Sequence, residues 1–265
     1  MGNPACAIDY ENITAAEARK LIREGKFTGD TVPVAKKYVQ ANLAILRKEL
    51  AYDFLLFCQR NPAPCPLIEA TDIGSPIPRI TTPTGDIRTD LPAYRIWRKG
   101  ELVDKVDNIT KYWQDDMVAF LIGCSHTFER SLELNGIPVN KSTPSVYITN
   151  IPCIKAGVFE GPVVVSSRVI KKNKVVRAVQ ITTRYHSTHG APLHVGDPKD
   201  IGIADITKPD FGNYHPIAED EVPIFWACGI TPQAVAMTVK PDIMITHEPG
   251  HMFITDIVAE QSTIL

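Results

Sequence analysis

The sequence predicts an α/β protein: a layered α/β sandwich with a second, smaller β-rich α+β lobe inserted into it. Two observations support this prediction. Apolar runs at residues 117–124 and 222–229 each have the length of a buried strand, and each leads directly into a helical stretch. Between these two units, β-branched runs at 163–170 and 174–183 are separated by three polar residues, a pattern typical of an antiparallel hairpin.

With 265 residues, the chain is long enough for one large domain or two modest lobes. We expect a main lobe at about 1–143 plus 201–265 and an inserted lobe at about 144–200.

An apolar share of 44% and a charged share of 22% are ordinary for a soluble globular protein. The formal net charge of −2 offers no basic field to nucleic acid or to an anionic membrane, so we expect neither as a partner. The longest uncharged apolar run falls far short of the ~20 residues that a membrane-spanning helix needs.

The N-terminal third is predicted to hold two helices and a long connection. Thr14 and Glu17 have the spacing of a capping box, which predicts a helix from there to about Arg23. Apolar residues that recur at intervals of three and four predict a second, longer helix over about 33–59. Residues 61–92 are rich in Pro, Thr, Asp and Gly, and connections of that length often carry function.

The cysteines and the N-terminus predict the compartment. The N-terminus has neither a basic segment nor an apolar segment, so we expect no signal peptide. Six cysteines are present and none forms a C-x-x-C pair, which argues against a structural zinc site. Without an export signal, free buried thiols are the usual state of such cysteines. We therefore predict a reducing, cytoplasmic location.

A histidine-rich loop, RYHSTHGAPLHVGDP at 184–198, is the first candidate site. It carries His186, His189 and His194, and His189 and His194 are the candidates for proton transfer. Arg184 at its start could bind a carboxylate. The alternative is that these histidines only satisfy backbone groups at the surface. The spacing of the three fits no common zinc pattern.

The turns that follow the two predicted strands, GCSHTFE at 123–129 and ACGITPQ at 227–233, are the second candidate site. Ser125, Thr127 and Thr231, together with free backbone N–H groups at helix starts, could hold a substrate carboxylate. The alternative is that these hydroxyls only cap helices. The cysteine in each turn could be a nucleophile only if a neighbour lowered its pKa, and a buried structural thiol is the favoured interpretation.

The stretch HEPGH at 247–251 matches H-E-x-x-H, the signature of zinc metalloproteases. That site needs both histidines on one helical turn, and Pro249 and Gly250 disfavour a helix there. Strand-like runs flank the motif, so we predict a Pro-Gly turn between two strands. The zinc interpretation is rejected, and His247 remains a candidate site residue.

Stretches such as FLIGCSHTFERSL, EVPIFWACGITPQAVAM and ITHEPGHMFITD resemble the D-glutamate cyclase family, whose members are often named hydro-lyases. The resembling segments are 38–46, 53–67, 86–103, 120–132, 147–153, 177–185, 189–205, 209–215, 221–237 and 245–256. The resemblance implies an α/β protein of two lobes. The chain departs from the family pattern at two positions: the family more often has Phe at His126 and Ala at Glu248.

The resemblance implies a hydro-lyase, with D-glutamate closing to 5-oxo-D-proline and water as the named activity. No catalytic residue set comes with it, so the roles are our hypotheses. His189 or His194 would take a proton from the amine, and His247 would protonate the departing oxygen. Arg184 or the helix start at Thr231 would bind the α-carboxylate.

In the same hypothesis, the turn at Ser125 would supply N–H donors to the oxyanion. The expected partner is a small carboxylate or amino acid, and the sequence leaves a homodimer open. No cofactor is expected, because neither a G-x-G-x-x-G nor a P-loop pattern is present, although a metal is left open. A metal-dependent hydrolase and a non-catalytic small-acid binding protein are the alternatives.

Overall fold

A computed structural model describes residues 8–139 and 144–263. Residues 1–7, which include Cys6 and the first part of the segment on which the signal-peptide prediction rests, lie outside the described residues. In chain order, these residues contain the strands β1 (Tyr38–Arg47), β2 (Leu67–Ala70), β3 (Tyr94–Arg98), β4 (Glu101–Val106), β5 (Met117–Gly123), β6 (Ser145–Pro152), β7 (Pro162–Lys171), β8 (His194–Val195), β9 (Glu221–Ala227), β10 (Met244–His247) and β11 (Phe253–Val258). The α-helices are α1 (Ala15–Arg23), α2 (Lys48–Arg60), α3 (Glu129–Leu134), α4 (Val175–Thr183) and α5 (Thr231–Val239).

The strands form two sheets, which confirms an α/β fold of layered type. In the larger sheet the order is β2-β5-β1-β10-β3-β4, and β11 also pairs with β1. In the smaller sheet the order is β6-β7-β9-β8. Every pair in both sheets is antiparallel.

The two sheets share one apolar core. Its buried side chains come from the larger sheet, such as Phe120, from the smaller sheet, such as Val165, and from α2, such as Phe54. Phe54 packs edge-on against Phe120 at 4.8 Å and against Phe159 at 5.2 Å between ring centroids. The docking of the sheets therefore fixes the relative positions of residues on their facing sides.

Several predicted elements are confirmed. The capping box of Thr14 and Glu17 opens α1, and the runs at 117–124 and 222–229 form β5 and β9. Each of these strands leads into a helix, and α3 is preceded by a short 3-10 helix at Ser125–Phe128. Residues 61–92 are irregular apart from β2. No described helix is both long enough and apolar enough to cross a membrane.

The predicted helix over 33–59 was wrong in its first half, which is β1. This strand is central in its sheet, and the eight residues between its ends are all buried. A strand covered on both faces reads as a continuous apolar run, which its spacing alone does not distinguish from a helix.

The predicted hairpin was also wrong, because its second run forms α4. The helix buries Ala178, Ile181 and Thr182, which lie on one helical face. Its β-branched residues favour strands only weakly, and packing of this face overrides that preference. The partner of β7 is instead β9, with Ser166 opposite Trp226. The smaller sheet therefore includes residues 221–227, which the predicted boundaries assigned to the main lobe.

Candidate functional site

A small cavity lies between the two sheets, where turns from both sheets meet. It has a volume of about 30 Å³, which is room for only a few water molecules. The turns after β5, β9 and β10 all contribute to its wall. The polar and thiol-bearing side chains that line it are Asn42, Cys124, Ser125, His126, Ser166, Cys228 and His247. The turns after β5 and β9, which the sequence analysis groups as one candidate site, both line this cavity.

Asn42, on β1, links the turns to one another. Its amide donates a hydrogen bond to the carbonyl of Gly123 at 2.8 Å. Gly229 packs directly on this amide, since a Cβ there would lie 2.0 Å from Asn42 Nδ2. A larger residue at position 229 would therefore push Asn42 out of place.

Two serine hydroxyls on the cavity wall are backed by a buried arginine. Arg168 is 5% exposed, and its Nη2 donates to Ser125 Oγ at 2.9 Å. Its Nη1 donates to Ser166 Oγ at 3.1 Å. The two oxygens also lie 3.4 Å apart, so either hydroxyl can donate to the other. Because each oxygen accepts from a cation, at least one hydroxyl proton stays available to an anion in the cavity.

Arg168 is itself held by a carboxylate and two aromatic rings. Its Nε and Nη2 donate to Oε1 of Glu129 at 2.8 and 2.6 Å. The guanidinium lies 5.1 Å from the ring centre of Phe128 and 5.6 Å from that of Trp226. Burial raises the pKa of Glu129, but its interactions with the His126 ring and the Arg168 guanidinium outweigh burial and lower that pKa to about 2. Glu129 is therefore ionised throughout the physiological range.

His247 ends β10 and reaches a gap in the pairing of β1. Along this side of β1, β10 pairs as far as Ala44 and β11 pairs from Ala41. The backbone N–H of Leu43, which lies between them, donates to His247 Nδ1 at 3.2 Å. The carbonyl of Leu43 lies farther from Nδ1, at 3.5 Å. Since a buried N–H needs an acceptor, the proton of the neutral ring lies on Nε2.

Burial lowers the pKa of His247 to about 4, so the ring is neutral at pH 7. A neutral imidazole with Nε2–H is a hydrogen-bond donor to an oxygen in the cavity. With Nδ1 occupied by a backbone donor, the ring has no free lone pair with which to remove a proton. The structure thus favours an electrophilic role for His247.

His189 lies behind the cavity wall rather than in its lining. It is 3% exposed and has a φ of 85°, a left-handed conformation that is unusual for histidine. Its Nδ1 lies 2.7 Å from the carbonyl of Ala63, which can only accept, so Nδ1 carries the proton. Its Nε2 is buried without a hydrogen-bond partner. Burial lowers the pKa of His189 to about 4, so this ring is also neutral at pH 7.

The backbone around His189 approaches β5 closely. A Cβ on Gly123 would lie 1.9 Å from the carbonyl oxygen of Ser187. Only glycine at position 123 therefore allows the loop of His189 to rest on the end of β5. The role of His189 as a base remains a prediction.

The two cavity thiols are not activated. Burial raises the pKa of Cys124 to about 12 and that of Cys228 to about 11. Both are therefore thiols rather than thiolates at pH 7, which agrees with the structural interpretation favoured from the sequence.

The two predicted threonines lie beside the cavity but face the backbone. Thr127 Oγ1 accepts from the N–H of Gln40 at 3.4 Å. Thr231 Oγ1 donates to the carbonyl of Cys228 at 2.7 Å and accepts from the N–H of Val164 at 3.2 Å. Thr231 is the first residue of α5 rather than its N-cap, which is Ile230. Neither threonine is in the lining of the cavity.

His194 and Arg184 lie apart from the cavity. His194 is on the two-residue edge strand β8, and its Nε2 lies 2.7 Å from the carbonyl of Asp197. Arg184 follows α4 and is exposed, in a separate surface pocket that also contains Arg177 and Glu260. The structure therefore does not place these two side chains with His247.

Glu248, in the HEPGH turn, is paired outside the cavity. Arg95 Nε and Nη2 donate to its two carboxylate oxygens at 2.5 and 2.8 Å. The predicted Pro-Gly turn is present, and Gly250 has a φ of 85°. Within residues 8–139 and 144–263, no group of three or more His, Cys, Asp and Glu side chains is arranged to hold a metal ion.

A larger pocket borders the cavity on the side of Arg168. It has a volume of about 340 Å³, and its lining includes Glu129, Arg168, His215 and Glu221. Pro144 lines both spaces. A ligand of the usual size for a protein pocket fits the larger space, whereas the cavity would have to widen to admit it.

Sequence reasoning missed Asn42, Ser166, Arg168 and Glu129 as parts of the site. A signal was available for three of them. Asn42, Ser166 and Arg168 are buried polar residues inside strands that are mostly apolar and buried. A polar side chain in such a strand needs a specific partner, which makes it a candidate for a site.

Comparison with known proteins gives a consistent result. A model of the D-glutamate cyclase family matches residues 118–256. A "Putative hydro-lyase" of Stutzerimonas stutzeri is 57% identical, over 97% of this chain and 98% of that one. Proteins of the same name from a Thermoanaerobacter species and from Bacillus subtilis are 59% and 54% identical, over 96% and 94% of this chain and 97% and 98% of their own.

Among solved structures, a nitrogen repressor-like protein from Methanococcus jannaschii is similar with a TM-score of 0.41 at 10% identity. That match covers 90% of this chain and 94% of the other. A similarity of this size defines neither fold nor function.

Proposed function

This chain belongs to the D-glutamate cyclase family, and on that premise we propose that the cavity between its sheets is the active site of a hydro-lyase. We further propose D-glutamate, or a closely related small amino acid with a second carboxylate, as its substrate. The observation that carries the proposal is the convergence of three turns on one cavity. Ser125 comes from the turn after β5, His247 from the end of β10 and Ser166 from β7, so a neutral histidine donor and two arginine-backed hydroxyls face the same space.

The proposed reaction closes D-glutamate into 5-oxo-D-proline. The nitrogen lone pair attacks the γ-carboxyl carbon, forming a C–N bond and breaking a C–O bond. The ammonium loses two protons, and the departing oxygen leaves with two protons as water. The site therefore needs an anchor for the α-carboxylate, a donor for the γ-oxygen and a group that transfers protons.

His247 fits the donor role. Its Nε2–H can stabilise negative charge on the γ-oxygen as the tetrahedral intermediate forms. The hydroxyls of Ser125 and Ser166, with Arg168 behind them, fit the role of the carboxylate anchor. Arg168 keeps its charge at every relevant pH, so the anchor does not depend on the protonation of a histidine.

The test is incubation of the purified protein with D-glutamate, L-glutamate and related amino and hydroxy acids, followed by mass spectrometry for loss of water. We expect 5-oxoproline from D-glutamate and less from L-glutamate. Stabilisation against heat by these acids without turnover would favour a non-catalytic binding protein. A protein that neither binds nor dehydrates any acid of the panel would contradict the proposal.

A double variant connects the activity to this cavity. Ser125→Ala combined with Ser166→Ala should raise KM at least tenfold, because the anchoring hydroxyls are lost (each such bond is worth about 1.5–3 kcal/mol). Ser187→Ala is the matched control. Its hydroxyl is buried without a hydrogen-bond partner among the described residues, so its removal should leave KM unchanged.

For the compartment, we propose a reducing, cytoplasmic location. The five cysteines within the described residues are all free thiols, and such thiols persist in reducing compartments. Cell fractionation with an antibody to the protein tests this, and recovery in an exported fraction would contradict it.

A further inference from the structure

We propose that His126, oriented by Glu129, is the group that transfers protons in the cavity. This inference rests on the proposed dehydration at that cavity and adds a catalytic residue to it. The family more often has Phe at this position, so the inference applies to this chain and not to relatives that carry Phe there.

His126 lies where its ring can contact both a ligand in the cavity and the carboxylate of Glu129. It belongs to the short 3-10 helix after β5 and lines the cavity. Its Nδ1 lies 3.0 Å from Glu129 Oε1, one turn further along the chain. The distance suits a hydrogen bond but the angle does not, as is common for catalytic contacts before the substrate binds. Nε2, on the other edge of the ring, is the nitrogen that this pairing leaves for the substrate.

The carboxylate fixes the tautomer of the ring. Glu129 is ionised and can only accept, so it favours a proton on Nδ1 and a lone pair on Nε2. Glu129 is in turn held by two hydrogen bonds from Arg168. Catalytic triads also contain a base that a third group orients.

The other ionisable groups near His126 are fixed in one state at neutral pH. Arg168, from β7, is a permanent cation. His189, from the loop on β5, and His247, which shares the cavity, are both neutral because burial lowers the pKa of each to about 4. Cys124, which precedes this 3-10 helix, is a neutral thiol because burial raises its pKa to about 12. Glu129 is the single anion among them.

The other cavity histidine does not fit the same task. His247 Nδ1 is occupied by the N–H of Leu43, so only its Nε2–H faces a ligand. His189 has a free Nε2, but it is not in the lining of the cavity. His126 is therefore the cavity histidine with an acceptor nitrogen available to the substrate.

The proton balance of the reaction suits a single such group. Two protons leave the ammonium nitrogen and two leave with the oxygen, so nothing is gained or lost by the protein. His126 Nε2 can accept a proton from the nitrogen and return it to the departing oxygen. Glu129 stabilises the imidazolium between these two steps.

The kinetic test compares His126→Phe and His126→Gln with wild type. Both remove the ring nitrogen that would accept the proton, and the second variant preserves the test if Phe disturbs the fold. We expect kcat to fall about 100-fold or more, the usual contribution of a proton-transfer group. We also expect the acidic limb of the pH profile of kcat/KM to disappear. The exposed His186→Phe is the control and should leave both unchanged.

An independent measurement reads the tautomer directly. In histidine-labelled protein, ¹⁵N NMR should show His126 with its proton on Nδ1, and Glu129→Gln should abolish that preference. A proton on Nε2, or a variant that keeps wild-type kcat and the acidic limb, would overturn the inference while leaving the hydro-lyase intact. No turnover of any acid by the wild type would instead refute the proposed function, and the role of His126 with it.

Discussion

The backbone N–H of Leu43 donates to His247 Nδ1 across 3.2 Å, and this contact determines which ring nitrogen faces the cavity. It exists because β10 ends and β11 begins at this point along β1, which leaves one buried N–H without a strand partner. The backbone N–H that the sheet leaves unpaired at Leu43 therefore orients the ring of His247.

The first prediction concerns the two histidines of HEPGH. His247→Ala should lower kcat about 100- to 1000-fold, because a donor to the developing oxyanion is lost. His251→Ala should have little effect, since His251 is absent from the lining of the cavity. Steady-state kinetics on both variants check this. Equal losses in the two would contradict the assignment.

The second prediction concerns stability at acidic pH. Burial lowers the pKa of His189 and His247 to about 4 from an ordinary value of 6.5. Below pH 6.5 the unfolded chain binds protons that the folded protein does not, so stability is complete above that pH and falls as the pH drops toward 4. Each histidine should contribute up to ~3 kcal/mol to the loss.

Urea unfolding between pH 7 and pH 4.5 measures this slope. His189→Gln should make it shallower, because one of the two groups no longer titrates. The exposed His186→Gln should leave it as in wild type. An unchanged slope in His189→Gln would show that burial of this ring does not control acid stability.

The third prediction concerns the buried ion pair behind the cavity. Arg168→Met should destabilise the fold by about 3–5 kcal/mol, because it leaves the Glu129 carboxylate buried without its main partner. Adding Glu129→Gln to Arg168→Met should recover part of the loss, since no uncompensated charge remains. Chemical unfolding of the two single variants and the double variant gives the coupling energy. A double variant that loses the sum of the single losses would argue against coupling.

The fourth prediction concerns Gly123. An added Cβ would meet the carbonyl oxygen of Ser187 at 1.9 Å, and that oxygen belongs to backbone that cannot move cheaply. Gly123→Ala should therefore cost about 2 kcal/mol or more, by analogy with other overpacking changes, and displace the loop of His189. Gly29→Ala is the control, because its Cβ would make only ordinary contact with Phe27. Thermal unfolding of both variants checks the difference.

The fold could be predicted from the sequence where local signals were strong. At the capping box of Thr14 and in the apolar runs of β5 and β9, the length, the composition and the flanking residues all predict the same type of element. β1 and α4 were misassigned for opposite reasons. The apolar spacing of β1 results from burial on both faces, and the β-branched residues of α4 are helical because packing requires it. Both depend on tertiary structure that no local window contains.

The site was predictable only in part. Ser125 and His247 were proposed because turns at strand ends concentrate polar groups, and both line the cavity. Thr231 was proposed for the same reason, but its hydroxyl is used within the backbone. Arg168 was not proposed, because its position beside Ser125 depends on how the two sheets dock. Contacts between residues that are far apart in the sequence, such as Ser125 and Arg168, cannot be recognised from local sequence patterns.

The order of strands in the larger sheet bears on how this protein is made. β1 lies in the middle of its sheet, yet Ala44 pairs with Thr246, about 200 positions later. During synthesis on the ribosome, one side of this apolar strand therefore remains unpaired until nearly the whole chain has emerged. Strands that pair over such a long sequence separation fold slowly, and until they pair, their exposed edges are prone to aggregation. We expect the nascent chain to engage chaperones, and activity to arise only after the C-terminal strands are released.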